Sequence, residues 1–535
     1  MSRKQTLASI FDNTSESSAI KTTATAYPKN SELSYGQLKD QLLSFAKQAN
    51  SLFGSEDGRI PVGTTLSSSI PNTLTCLITF LASTLLRCIA APLNPAMKQS
   101  EVEFYLEDAQ SKVLIVPHDV DESNESVKAA RKLGVKVWVV DWDESEGGIK
   151  LSILENGSPV SKDTTTEGKD ITIDDAQPDD IALLLHTSGT TGRPKAVPLT
   201  HANLSRSMLN ISNTYKLTPQ DRTFLVMPLF HVHGLIGAGL STLYAGGSIA
   251  LPPKFSASHF WSEYVETQSN WYSAVPTIHQ ILLLNPLPET RPTIRFIRSC
   301  SSALAPSVLH QLEEKLGASV LEAYAMTEAS HQMCSNPLGL DKDGKSLSKP
   351  GSVGIPQGVE VTILSEDNDN PAKLGEVCIR GPNVTKGYLN NPEANAKSFT
   401  QESNWFRTGD QGYFDEDGYL FLTGRIKELI NRGGEKISPL ELDAVLLKHP
   451  DVAEAVSFGV DDEMYGQEVY AAVVPKSGHE NNVSEEVIKK FMAEHVAKFK
   501  VPKKVYISDS LPRTATGKIQ RRIVAKHFAE NEQKK

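Results

Sequence analysis

Apolar and polar positions along this chain change rhythm several times, and each change predicts a different kind of element. Residues 113–117 (Val-Leu-Ile-Val-Pro) and 135–140 are short β-rich runs of buried-strand length, with a helical stretch, 123–133, between them. Residues 181–185 (Ile-Ala-Leu-Leu-Leu) form a continuous apolar run, the pattern of a strand covered on both faces. Further strands are predicted at 223–227, 248–251, 294–298 and 320–323, separated by helical segments as a parallel or mixed sheet requires. From Gly351 the pattern turns to short strands and Gly-rich turns (359–364, 375–380, 419–423), which predicts a small β subdomain. Residues 144–178 are rich in Ser, Thr, Gly and acids without a sustained period, and read as a surface excursion.

A domain junction is predicted near Gly424-Arg425-Ile426-Lys427. Beyond it the chain has its own βα rhythm: a helix over 440–448, strands over 452–460 and 469–474, and a helix over 484–498. The fold class is therefore α/β. A large N-terminal domain (1–424), made of two α/β subdomains and the small β subdomain, is hinged to a small α+β C-terminal domain (425–535). With 535 residues the chain exceeds the size at which a single core stops growing, which agrees with several packed units.

Composition removes some functions from consideration. A formal charge of −10, from 54 basic and 64 acidic residues, argues against a general nucleic-acid or anionic-membrane binder. The most apolar run, 74–86, ends at Arg87 and is shorter than the roughly 20 residues a bilayer span needs, so it reads as a buried core helix with no membrane insertion. Cys76, Cys88, Cys300, Cys334 and Cys378 lie far apart with no C-x-x-C pair, which suits reduced thiols rather than a disulfide framework or a zinc site. The start of the chain has no apolar signal core, and Gln533-Lys534-Lys535 is not the S-K-L address. A cytoplasmic location is the first expectation, with the peroxisome as the alternative. A monomer is favoured, although nothing in the sequence fixes oligomeric state.

The predicted strand 181–185 runs directly into His186-Thr187-Ser188-Gly189-Thr190-Thr191-Gly192-Arg193-Pro194-Lys195. Gly189 and Gly192 let backbone approach an anion closely, hydroxyls and amides donate to phosphate oxygens, and Lys195 adds positive charge at the exit. The spacing G-x-x-G-x-x-K differs from that of a Walker loop. Alone, a Ser/Thr/Gly turn is usually just solvated.

The segment Thr187 to Lys195, "TSGTTGRPK", resembles the signature of the adenylate-forming superfamily: acyl-CoA synthetases, 4-coumarate–CoA ligases, luciferases and peptide-synthetase adenylation domains. Further signatures follow in that family's order: "YAMTEAS" (324–330), "FRTGD" (406–410), "GRIKELI" (424–430), "RGGEKISP" (432–439) and "PRTATGKIQRR" (512–522). Six motifs in order cover nearly the whole chain. The resemblance implies a ligase that uses ATP, Mg²⁺ and coenzyme A to convert a carboxylate first to acyl-AMP and then to acyl-CoA.

It also assigns residues. Thr187 to Gly192 and Lys195 would hold phosphates, and Tyr324 would face adenine beside Ser301, Ser302, Ala303, Glu322 and Ala323. Thr327 would donate to the α-phosphate, and Glu328 would be the Mg²⁺ ligand, as a hard oxygen donor suits. Asp410 would accept the ribose hydroxyls with Arg425 as its partner. Lys518 would be the adenylation lysine and Lys427 the hinge, while Gly433, Gly434 and Glu435 would form the coenzyme A loop after the small domain rotates.

For the acid, relatives with bulky apolar substrates commonly show an S-G-A-A-P-L-like sequence where this chain reads Arg298-Ser299-Cys300-Ser301-Ser302-Ala303-Leu304. Hydroxyls replace small apolar positions, which predicts a small acid with a second polar group. His231 and His233 lie two residues apart on an expected loop. A metal there is not expected, since no third ligand is evident, but an imidazole suits a carboxylate. "MPLFHVHGLIG", "FIRSCSSALAP" and "LEAYAMTEASHQM" together resemble the oxalate–CoA ligases of fungi and plants, which would place a second carboxylate against His233, Ser301 and Ser302. The alternatives are a 4-coumarate or medium-chain fatty acid–CoA ligase, a non-CoA adenylating relative, and a catalytically silent nucleotide-binding module.

Overall fold

The computed structural model describes residues 5–12, 15–160, 175–187, 193–366, 369–513 and 519–532. Among them, two large mixed sheets form the body of the N-terminal domain. One runs Ile355–Pro356, His331–Ser335, Val320–Met326, Phe296–Cys300, Trp271–Ala274, Arg222–Phe224, Ser248–Leu251, Ser18–Thr22 and Glu32–Ser34. The other runs Lys195–Thr200, Ile181–Thr187, Ile89–Pro92, Thr65–Ser68, Val113–Pro117, Lys136–Asp143, Gly148–Glu155 and Ser158–Val160. A single apolar cluster takes side chains from both sheets, so they share one core.

The helix Leu74–Leu85 lies inside that core. Thr73 caps it by accepting from the Cys76 N–H, and every one of its residues is buried. An apolar circumference of this kind marks a helix enclosed by protein on all sides. No helix among the described residues is long and apolar enough to cross a membrane.

The expected strands form, several with shifted ends, and Trp271–Ala274 and His331–Ser335 were not anticipated. The excursion over 144–178 needs correction: Gly148–Glu155 extends the second sheet antiparallel to Lys136–Asp143, and Ser158–Val160 in turn pairs antiparallel with Gly148–Glu155. Ile149, Leu151 and Leu154 turn inward from that strand, but Gly, Ser and acids around them conceal the signal. Residues 161–174 lie outside the described set.

A four-stranded antiparallel sheet, Glu360–Leu364, Gly375–Arg380, Phe406–Phe414 and Leu420–Arg425, forms the β subdomain. Its last strand leads through the turn Ile426–Glu428 into the C-terminal domain, whose sheet contains Ile430–Arg432, Glu435–Ile437, Val452–Asp462, Gly466–Pro475 and Lys504–Ile507. That sheet and the helices Pro439–Leu446 and Glu485–His495 enclose a separate apolar core. The structure is thus the α/β fold anticipated from the sequence, a large N-terminal domain joined to a small C-terminal one.

Candidate active site

The parallel strands Trp271–Ala274, Phe296–Cys300 and Val320–Met326 end together, and loops beyond their carboxyl ends build the site, the usual place for a ligand in an open α/β sheet. The hairpin Phe406–Phe414/Leu420–Arg425 covers this edge and contributes the facing pair Asp410 and Arg425. A second hairpin, Ile181–Thr187 with Lys195–Thr200, pairs Thr187 with Lys195 and so brackets the phosphate-loop segment between them. Ser188, Gly189, Thr190, Thr191 and Gly192 lie outside the described residues.

Tyr324, Asp410 and Arg425 meet although 86 residues separate the first two. The Tyr324 phenol donates to Asp410 Oδ2, and Arg425 Nε lies 3.2 Å from Asp410 Oδ1. Burial, and then the Asp410 carboxylate, push the Tyr324 phenol well above its usual range, so it stays a donor. Asp410 in turn holds Arg425 charged. Glu322 accepts from the backbone N–H of Leu304 and of Gly351, both at 3.2 Å, tying the 301–304 loop to the turn at Gly351. Burial raises its carboxyl to about 7. Ala323 pairs with Cys300 and Ser335 inside the sheet, and Ala303 is exposed beside Leu304.

Thr327 and Glu328 occupy a single 3-10 turn, Thr327–Ala329, directly after the Tyr324 strand. Glu328 Oε1 accepts from the Tyr388 phenol at 2.8 Å, and Lys195 Nζ sits 4.5 Å from the centre of the Tyr388 ring. Burial raises the Glu328 carboxyl, and Lys195 and Arg425 oppose the rise; burial lowers Lys195, and Glu328 opposes that. An acid and a cation close enough to feel one another thus flank the end of the phosphate segment. One buried carboxylate, its shell completed by phosphate oxygens and water, is the donor set Mg²⁺ takes in nucleotide sites.

The acid end differs from expectation in two respects, the setting of His233 and the direction of Ser302. His233 is not on a loop; it opens a π-helical stretch, His233–Leu240, and is fully buried. Its Nδ1 lies 3.0 Å from Ser301 Oγ and its Nε2 2.7 Å from Ser273 Oγ. Ser302 is exposed, and its hydroxyl donates to the Ser301 carbonyl at 2.8 Å, so the structure does not bring it to the histidine. Arg298 and His331, by contrast, are brought there. Arg298 is wholly buried; Nη1 lies 2.8 Å from His331 Nε2 and 3.4 Å from Ser273 Oγ, Nε donates to Tyr215, and Nη2 donates to Gln332. No carboxylate pairs with Arg298 among the described residues. The His233 and His331 rings lie 5.4 Å apart, and burial and then Arg298 push both well below the usual imidazole range.

In the small domain, Gly433 and Gly434 form a hairpin turn between Ile430–Arg432 and Glu435–Ile437, with φ of 59° and 92°. Positive φ at both positions is what glycine supplies in such a turn. Next to Glu435, Lys436 reaches Glu366 of the β subdomain at 2.7 Å, and Glu366 also accepts from Gln411 beside Asp410. Lys427 sits in the junction turn, one residue after Ile426. Lys518 lies outside the described residues.

Residues 11–389 match the AMP-binding enzyme family, and residues 441–518 match the AMP-binding enzyme C-terminal domain. The chain belongs to the AMP-binding enzyme family. It is 52% identical over 485 residues to an oxalate–CoA ligase of Saccharomyces cerevisiae, covering 88% of each protein. It is 53% identical over 481 residues to an oxalate–CoA ligase of Arabidopsis thaliana, covering 89% of this chain and 90% of that one. The fold superposes on ATP-bound MatB from Rhodopseudomonas palustris with a TM-score of 0.84 at 28% identity, covering 99% of this chain and 100% of the other.

Sequence reasoning overlooked four members of this AMP-binding enzyme's site: Tyr388, Ser273, Arg298 and His331. Two of them had a signal. Arg298 opens the hydroxyl-rich run Arg298 to Leu304, and His331 directly follows the 324–330 motif. Tyr388 and Ser273 stand in runs with no chemical pattern of their own.

Proposed function

We propose that this protein is an ATP-dependent, AMP-forming oxalate–CoA ligase. The observation that carries the choice of acid is the buried guanidinium of Arg298, set among two neutral imidazoles and serine hydroxyls with no carboxylate among the described residues to neutralise it. An uncompensated buried charge is costly, and a small dianion offsets that cost where an elongated apolar acid does not. One carboxylate of oxalate then faces the α-phosphate near Thr327, and the other faces His233, Ser301 and His331. The relatedness to two oxalate–CoA ligases supports the same reading.

In the first half-reaction a carboxylate oxygen bonds to the α-phosphorus, and the bond from that phosphorus to the bridging oxygen breaks, releasing diphosphate. In the second, the coenzyme A thiolate attacks the acyl carbon and AMP leaves. Both steps bring anions together, so catalysis consists of positioning and charge stabilisation. Asp410 receives the ribose hydroxyls in exchange for the Tyr324 phenol, and Arg425 keeps the aspartate oriented. Thr327 donates to the α-phosphate, and Lys195 faces the phosphate segment. Glu328 would hold Mg²⁺, which supplies charge neutralisation on the phosphates. Lys518 serves adenylation. Rotation about Lys427 then replaces its loop with Gly433, Gly434 and Glu435, which admit the pantetheine arm. Five buried free cysteines suit a reducing compartment, and we place the enzyme in the cytoplasm.

The test is a panel of acids assayed with ATP and coenzyme A: oxalate, malonate, acetate, hexanoate and 4-coumarate. Oxalate should give the highest kcat/KM by a wide margin, because buried polar groups reject analogues that leave them unpaired. A preference for hexanoate or 4-coumarate would refute the acid assignment and leave the adenylation chemistry standing.

A further inference from the structure

We propose that Arg298 is the positioning residue of the acid pocket, a buried donor that dictates which nitrogen of His331 and of His233 carries the proton. The inference builds on the diacid reading, but its central evidence is geometric. A guanidinium has five N–H donors and no acceptor. Arg298 Nη1 lies 2.8 Å from His331 Nε2, so that nitrogen must present its lone pair, and the proton of the neutral ring sits on Nδ1. His331 Nδ1 is buried and has no hydrogen-bond partner among the described residues, although the ring is 1% exposed. Native proteins rarely leave such a donor unpaired. It is therefore an N–H held ready for an acceptor.

The second branch runs through Ser273. Its hydroxyl oxygen lies 3.4 Å from Arg298 Nη1, which can only donate to it, and 2.7 Å from His233 Nε2. Of these two partners only His233 can accept the Ser273 proton. His233 Nε2 thus carries the lone pair, and Nδ1–H donates to Ser301 Oγ at 3.0 Å. The Ser301 hydroxyl proton is left to point elsewhere. Both branches start at one guanidinium, and both end on donors suited to a carboxylate: His331 Nδ1–H and Ser301 O–H.

The backbone is shaped to allow this. His331 has φ of 111°, in the region that favours glycine, and Ser301 has φ of 75°. At Gly237, within the π-helical stretch opened by His233, a Cβ would lie 1.9 Å from His331 Nε2 and 2.9 Å from Arg298 Nη1. Any side chain there must push the imidazole off the guanidinium, so glycine is a condition of the contact.

The experiment uses full-length enzyme with ¹⁵N-labelled histidine. Long-range ¹H–¹⁵N spectra distinguish the two neutral tautomers, and the His233→Asn and His331→Asn variants assign the signals. In the wild type both rings should be Nδ1–H. In Arg298→Gln, whose amide can also accept, that preference should be lost. The oxalate KM should rise by about tenfold or more, with a smaller change in kcat and an unchanged KM for ATP. Arg298→Lys, which keeps the charge and donates only, should recover part of the loss.

Arg298 touches four side chains, so its variants risk misfolding. Gly237→Ala keeps the chemistry of all of those side chains and displaces only the contact between His331 and Arg298, so it should produce the same selective rise in oxalate KM together with loss of the His331 tautomer. Nε2–H tautomers in the wild type, or tautomers unchanged in Arg298→Gln and Gly237→Ala, would overturn the proposal. A wild type with both tautomers as described but no preference for oxalate would overturn the acid assignment and leave the role of Arg298 intact.

Discussion

Replacing Glu322 with Gln should change stability in a way that depends on pH, by an amount the structure sets. Burial raises this carboxyl from 4.5 to about 7 in the folded protein, against the pull of the Leu304 and Gly351 N–H groups. A carboxyl whose folded value exceeds its unfolded value keeps a proton that the unfolded chain releases. Stability therefore falls as pH rises from about 4.5 to about 7 and is level beyond. With about 1.4 kcal/mol for each pH unit of difference, Glu322 costs about 1 kcal/mol near pH 5 and about 3 kcal/mol near pH 8.

Glutamine removes this dependence but can accept with one oxygen only, so either Leu304 or Gly351 loses its partner at a cost of about 1–3 kcal/mol. That loss is the same at both pH values and cancels when they are compared. Relative to wild type, Glu322→Gln should thus gain about 2–3 kcal/mol between about pH 5 and about pH 8. Denaturant titrations followed by tryptophan fluorescence and analysed for the N-terminal domain transition measure it. An offset between variant and wild type that is equal at the two pH values would refute the reasoning. Because Glu322 anchors the loop beside Tyr324, the variant should also raise the KM for ATP.

Two further predictions separate the half-reactions. Lys518→Ala should abolish most diphosphate release while transfer from preformed acyl-AMP to coenzyme A persists; equal loss of both, in a folded protein, would remove Lys518 from its assigned role. Lys427→Pro fixes φ and removes a backbone donor in the junction turn, so thioester formation should fall much further than adenylation. Unchanged transfer would place the pivot elsewhere.

The nucleotide half of the site was legible because its residues stand in contiguous runs. Glycines, hydroxyls and a lysine around a phosphate declare themselves locally, and the turn Thr327–Ala329 lies within one motif. Even so, nothing local says that Tyr324 will meet Asp410; they stand in different sheets, and only the packing of the β subdomain on the large sheet brings them together, while the resemblance placed both at the nucleotide. The acid half was legible in part. Run 298–304 was read for its serines, whereas the fold turns Arg298 inward and Ser302 out. Arg298 lies within the strand Phe296–Cys300, whereas Ser302 lies in the loop beyond its end, where strand alternation no longer applies. Choosing which side faces the pocket requires the register with Trp271–Ala274 and Val320–Met326, which no single run contains. The π-helical geometry at His233 was likewise invisible, since apolar and glycine residues there suit a loop equally well.

The two halves also differ in how they tolerate an absent substrate. On the nucleotide side the free protein satisfies its own groups: Tyr324 with Asp410, Asp410 with Arg425, Glu328 with Tyr388. These bonds can be exchanged for a ligand's at little net cost, because each donor or acceptor swaps one partner for another. On the acid side, the guanidinium has no counter-charge and the His331 Nδ1–H no partner among the described residues. Unpaired buried groups cost the free protein stability, and a ligand that pairs them recovers that free energy on binding. A substrate as small as oxalate offers almost no apolar surface to bury, so its affinity has to come from such groups. An acid pocket that looks under-satisfied when empty is therefore what a ligase for a very small diacid requires, and an apolar-acid ligase has no use for one.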